Sequence, residues 1–194
     1  MTAPIRITAG ARIDADGDPA AYNPAGGGDD ALGNAGKDGN WYGVVTDNGE
    51  RSGKPLKQGP YDPYPGNYIA TTALVDVTMA VTDPRRYVDS RIVRYISIPG
   101  DVLHNPIEVG DVALVEWNGR QVSAIVADVG PRGKWGEVSI ATAKALAFRN
   151  CSPRNGGVDG GVTYTIWPGS RKPVHWPRTN EDIAAQVAEL IAAA

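Results

Sequence analysis

Asp128 and Glu137 are the residues whose types and spacing lend themselves most readily to chemistry. They stand near the two ends of ADVGPRGKWGE, residues 127–137, where three glycines and a proline shape the connection. Two carboxylates on opposite arms of a rigid turn suit general acid–base work. Hydrolysis of a glycosidic bond with inversion asks for such a pair about 6.5–9.5 Å apart, one protonating the leaving oxygen and the other activating a water. A nine-residue offset through glycines permits that separation without forcing it. Trp135 could stack on a sugar ring, and by lowering the local dielectric it would raise the Glu137 pKa, as a general acid requires. A purely structural reading competes: an Asp at a strand end caps the turn, and a Glu ahead of a helix complements its dipole. Spacing alone leaves both open.

The elements around the pair must hold it. Residues 121–126, QVSAIV, form a short apolar, β-branched run that reads as a buried strand. It follows a second candidate strand, 112–117, and Asn118-Gly119 between them is a hairpin signal. Residues 138–148 read as a helix. Further strands are expected at 5–13, 41–46, 67–75, 95–98 and 162–168. Asp47-Asn48-Gly49-Glu50 reads as a turn, and the proline-rich 51–66 as an irregular surface excursion. Short helical turns are expected near 30–32 and within 83–89. A C-terminal helix spans 180–193, with Asn180 as N-cap, Glu181 and Asp182 suiting the dipole, and Ile183, Val187, Leu190 and Ile191 forming one apolar face. That face reads as docked on the domain, with a partner-binding helix as the alternative.

Many short strands and two clear helices imply a compact β-barrel with peripheral helices. The 194 residues suit a single domain, 1–194, with a proper core. Hydrophobic residues make up 42% and charged residues 21%, which excludes wholesale disorder. A net charge of −3 provides no basic field for nucleic acid or an anionic membrane. One cysteine, Cys151, excludes an intramolecular disulfide, and with only His104 and His175 a histidine-based metal centre is not expected. No leader is visible at the N-terminus. The alternating Asp14, Asp16 and Asp18 invite a calcium reading, but the downstream Glu of an EF-hand is missing. A Gly/Pro turn with solvated carboxylates is the plainer account.

The chain resembles the glycoside hydrolase family 75 chitosanases and their bacterial relatives. The matching pieces run in family order: IDADGDPAAYNP (13–24), ALGNAGKDGNWYGVV (31–45), QGPYDPYPGNYIATTALVD (58–76), DPRRYVDS (83–90), AIVADVGPRGKWGEVSIATAKAL (124–146) and GVTYTIWPGS (161–170). The resemblance implies a six-stranded double-psi-like barrel with a matched core at 13–170. It also implies an inverting endo-hydrolase of β-1,4 bonds in glucosamine polymers, with Glu137 as general acid and Asp128 as general base. Because chitosan is cationic, Asp14, Asp16, Tyr42, Tyr68 and Trp135 become candidate substrate contacts. Thr71 and Thr72 alternate faces, so at most one should enter a cleft. A polysaccharide is then the expected partner of a monomer, with no cofactor, metal, nucleic acid or membrane. Family members are secreted, so the resemblance implies export, whereas no signal peptide is visible in residues 1–6; a cytoplasmic protein, another export route or an already removed leader all remain open. A related amino-sugar polymer such as peptidoglycan, or a non-catalytic carbohydrate-binding barrel, are the alternatives.

Overall fold

The computed structural model describes residues 3–174 and 176–193; His175 lies outside them. Six strands close into a mixed barrel: β1 (Ile5–Asp14), β4 (Tyr95–Pro99), β5 (Val112–Trp117), β6 (Arg120–Gly130), β7 (Glu137–Ser139) and β8 (Val158–Trp167). The two-residue strands β2 (Gly36–Lys37) and β3 (Asn40–Trp41) form a separate hairpin. The barrel order is β1-β7-β4-β6-β5-β8, with β8 closing onto β1. The pairs β1/β7 and β4/β6 are parallel and the remaining four antiparallel. This is the mainly β, closed six-stranded architecture expected, with one helix after the glycine turn, α1 (Ile140–Ala145), and a C-terminal one, α2 (Asn180–Ala192).

The β5–β6 hairpin forms as its sequence demands. Asn118 and Gly119 both take positive φ, 48° and 75°, the pair of left-handed residues that a tight turn between right-twisted strands requires. Apolar residues of the strands fill the main core, among them Ile96, Ile98, Val126, Val138, Val162, Tyr164 and Ile166. A second core lies under α2, where Ile183, Val187 and Leu190 meet Val112, Ile125, Ala127 and Trp167. Burying each of those three helix side chains is worth about 1.5–3 kcal/mol.

Several boundaries differ from the sequence reading. The helix expected at 138–148 begins later, because Val138 pairs with both β1 and β4, and Ser139 caps α1 by accepting the Thr142 N–H at 3.1 Å. Ala147, at φ 59°, terminates it. Glu137 therefore stands on a strand. Residues 41–46 and 67–75 do not form continuous strands. Val44–Ala70, Thr46–Pro55 and Lys57–Tyr68 are isolated bridges, and Pro55 has no N–H to extend a ladder. The N-cap of α2 is Thr179, in a reciprocal capping box with Asp182, and not Asn180. Ile191 is 51% exposed; the buried stripe passes instead through Gln186, whose amide donates to the Ser170 carbonyl at 2.5 Å. No helix among the described residues is long and apolar enough to cross a membrane.

Candidate active site

Asp128 and Glu137 are brought together by β4. Ser97 on β4 is in register with Asp128 on one side and Glu137 on the other. Cross-strand partners project to the same face, and two strand spacings put their Cα atoms about 9–10 Å apart. The β4/β6 register slips between Ile96 and Ser97, which pair with Val126 and Asp128, so Ala127 is the extra residue of a β-bulge. A bulge re-aims the side chain that follows it. The bulge is bound from outside the barrel: the Leu74 N–H donates to the Ala127 carbonyl and the Ala73 N–H donates to Asp128 Oδ1, both at 2.8 Å.

Both carboxylates line a cleft of about 650 Å³. One wall is the barrel rim, with Arg12 and Asp14 from β1, Asp128 and Gly130 from β6, and Glu137 from β7; the other comes from the 16–71 excursion, through Asp16, Tyr22, Asp30, Tyr42, Arg51 and Thr71. A Cβ on Gly130 would collide with Glu137 Oε2, so glycine there makes room for the carboxylate.

Asp14 and Asp16 join the pair. One oxygen from each of Asp14, Asp16 and Asp128 lies within 4.8 Å of the others. Each has a donor: Ser97 Oγ to Asp14 at 2.6 Å, the Tyr22 hydroxyl to Asp16 at 2.6 Å, and the Ala73 N–H to Asp128. Burial, and then repulsion from Asp14, raises the Asp128 pKa from the ordinary 3.8 to about 8. Asp16 is raised well above its usual value by burial and by Asp14 and Asp128; Asp14 is also raised, chiefly by burial. Burial followed by Asp14 lifts Glu137 from 4.5 to about 7, against a lowering by Lys134. The three aspartates could bridge a divalent cation, but an array with raised pKa values equally holds shared protons or receives an organic cation.

The Asp14–Asp18 run is thus not a turn with solvated carboxylates. Asp18 is fully buried beside Arg91, Oδ2 to Nε 2.9 Å, while Asp14 and Asp16 face the cleft. Of the aromatic candidates, Tyr42 lines the cleft and is 53% exposed. Tyr68 packs against Trp41, ring centroids 6.0 Å apart, and Trp135 packs on the main core; neither lines the cleft. Thr71 enters it, whereas Thr72 is buried and its hydroxyl bridges the Leu74 carbonyl and the Val88 N–H. Sequence reasoning passed over Ser97, Tyr22, Arg12, Arg51 and Gly130. Tyr22 lay in plain view six residues after Asp16; Ser97 had no signal, since only strand order makes it a neighbour of Asp14.

No family model matches the chain, and neither does any curated protein at a significant level. Among solved structures, the Streptomyces papain inhibitor (SPI) aligns at 25% identity over 41% of this chain and 74% of its own, with a TM-score of 0.32. So loose a superposition carries no argument about fold or function.

Proposed function

We propose that the chain is an inverting, endo-acting glycoside hydrolase that cleaves β-1,4 bonds in chitosan, with Glu137 as general acid and Asp128 as general base. The observation that supports it most is the shared register of Asp128 and Glu137 with Ser97. Two carboxylates on one face, a strand apart on either side of β4, leave room for a sugar and an attacking water between them. The acidity of the cleft suits a substrate with one ammonium per deacetylated sugar.

The chemistry follows from the environments. Burial keeps the Glu137 proton on near neutrality, so the group can give it to the glycosidic oxygen as the bond breaks. Asp128 must be ionised to take a proton from water. An ammonium entering beside Asp14 offsets its repulsion of Asp128 and, by its own charge, favours the Asp128 anion against the larger penalty of burial, so substrate binding itself helps to prepare the base.

The test follows the anomeric configuration of the first product by proton NMR, during digestion of chitosan, chitin and peptidoglycan in parallel. An α-anomer released first from chitosan supports the proposal. A β-anomer would replace inversion with retention. Cleavage of peptidoglycan alone would move the activity to that polymer, and binding without any cleavage would make the barrel a carbohydrate-binding module.

A further inference from the structure

Tyr61 is the most exposed large apolar side chain among the described residues, at 93%, and it stands outside the cleft on the proline-rich turn 58–66. On a loose loop tip such exposure would mean little. This turn is braced. Pro60, Pro63 and Pro65 fix φ at three positions around the ring. The buried Gln58 side chain spans the base, accepting the Tyr64 N–H at 3.0 Å and donating to the Pro19 carbonyl at 2.6 Å. Asp62 accepts the Gly59 N–H at 2.7 Å, and the Arg85 guanidinium donates to the Tyr61 carbonyl at 3.2 Å. Tyr64 is held by Arg91, whose guanidinium lies 5.5 Å from the ring centroid and donates to the hydroxyl at 2.8 Å, yet 41% of the residue stays exposed. Among the described residues the Tyr61 ring itself makes no hydrogen bond and no ring contact.

The bracing does nothing to bury that ring; it fixes where the ring stands in water. Fixing an aromatic in advance removes the ordering cost from whatever later packs on it. Two links make the turn continuous with the cleft wall. The Tyr68 N–H donates to the carbonyl of Tyr22, a cleft residue, at 2.9 Å. Arg91, beside Tyr64, also pairs with Asp29, the neighbour of the cleft residue Asp30. The chemistry of the surface suits an amino-sugar strand. The C–H face of a pyranose packs flat on an aromatic ring, and an ammonium is drawn to the ring's negative face. Arg85 and Arg91 are both paired with carboxylates, which offsets their repulsion of that ammonium. We infer that Tyr61 and Tyr64 form an ancillary platform outside the cleft, on which sugars of the same glucosamine polymer stack while another part of the strand lies at Asp128 and Glu137. The inference rests on reading the cleft as the polysaccharide site.

Two measurements test it. The first titrates the Glu137→Gln protein, its tyrosine rings carrying ¹³C, with long, fully deacetylated chitosan. The Tyr61 ring signals should move together with those of Tyr42 in the cleft. Adding Tyr61→Ala should weaken polymer binding about three- to tenfold, the scale of one aromatic packing contact, and the residue is exposed enough for the fold to tolerate the change. Tyr61→Phe keeps the ring and should keep the affinity. Tyr61 signals that stay still while those of Tyr42 move overturn the inference, as does unchanged affinity in Tyr61→Ala or an equal loss in Tyr61→Phe. Tyr61 signals that shift with protein concentration alone make the ring a contact between copies of the chain, which also overturns it. The second measurement compares KM for the polymer with KM for a glucosamine tetrasaccharide. In Tyr61→Ala the polymer value should rise about three- to tenfold with kcat changed far less, and the tetrasaccharide value should change much less; an equal rise for both argues against the platform. If no polymer is cut while the Tyr61 response holds, the hydrolase reading falls and the platform stands. If chitosan is cut and Tyr61 does not respond, the platform falls and the hydrolase reading stands.

Discussion

Ser97 Oγ donates to Asp14 Oδ2 at 2.6 Å from the one strand that separates Asp128 from Glu137. The hydroxyl is buried and its partner is the group whose charge acts on both. Ser97→Ala removes a donor from a buried carboxylate and should cost about 1–3 kcal/mol in stability. With Asp14 pushed further toward its protonated form, its repulsion weakens and the alkaline limb of the pH–rate profile, where Glu137 loses its proton, should move to lower pH. Urea unfolding and kcat/KM against pH read the two effects separately.

Removing either carboxylate tests the chemistry directly. Glu137→Gln and Asp128→Asn should each reduce reducing-end release from chitosan by about 10²–10⁴-fold, the range of general acid–base contributions. Near-wild-type turnover in either variant, with circular dichroism unchanged, would remove that residue from the mechanism.

Gly130→Ala isolates position from charge. The added methyl meets Glu137 Oε2, the movable end of a side chain, so the fold should survive with a small shift in Tm. Displacing that carboxylate by about 1 Å should lower kcat by 10²-fold in order of magnitude, with KM changed far less.

The raised carboxylates fix the sign of the pH dependence. In the folded chain Asp128 titrates at about 8 and Glu137 at about 7, against ordinary values of 3.8 and 4.5. Between those limits the folded state holds protons that the unfolded state has released, so their contribution to stability falls as pH rises through the folded values. Denaturant midpoints should therefore decline from about pH 4 to 8. Asp128→Asn should flatten that decline and be more stable relative to wild type at pH 8 than at pH 5. An unchanged slope would mean that the acidic array is ionised throughout.

Thr72→Val probes the segment that holds Asp128 from outside the barrel. It leaves the Val88 N–H and the Leu74 carbonyl without their buried hydroxyl, at a cost of about 1–3 kcal/mol. Because Ala73 and Leu74 bind the bulge, kcat should fall by more than the loss of folded protein explains, as active-site titration with a tight-binding oligosaccharide would show.

The barrel was largely legible in the sequence because its strands are continuous β-branched runs and its hairpin carries Asn118-Gly119, both local signals. Strand order was not: the parallel β4/β6 and β1/β7 pairings join distant residues, and no local pattern reports that Ser97 lies between Asp128 and Glu137. Residues 41–46 and 67–75 misled because their composition suits a strand, yet Gly43 and Pro55 interrupt the ladders and leave isolated bridges. Asp14 and Asp16 looked like solvated turn residues, since composition cannot show that Ser97 and Tyr22 hydrogen-bond to them. The N-cap falls at Thr179, one residue before Asn180, the scale on which helix ends are ambiguous, while Ile191 is exposed because the buried stripe runs through Ile183, Gln186, Val187 and Leu190.

The bond from the Ala73 N–H to Asp128 has a thermal consequence. The segment that aims Asp128 belongs to an excursion held largely by isolated bridges and turns, whereas the barrel closes on itself through six ladders. Segments with few ladder bonds open locally at lower free energy than a core. On heating, 71–74 should release the carboxylate while the six strands persist. Catalysis would then fail several degrees below the cooperative melt, and on brief heating and cooling it would return without the barrel ever having unfolded.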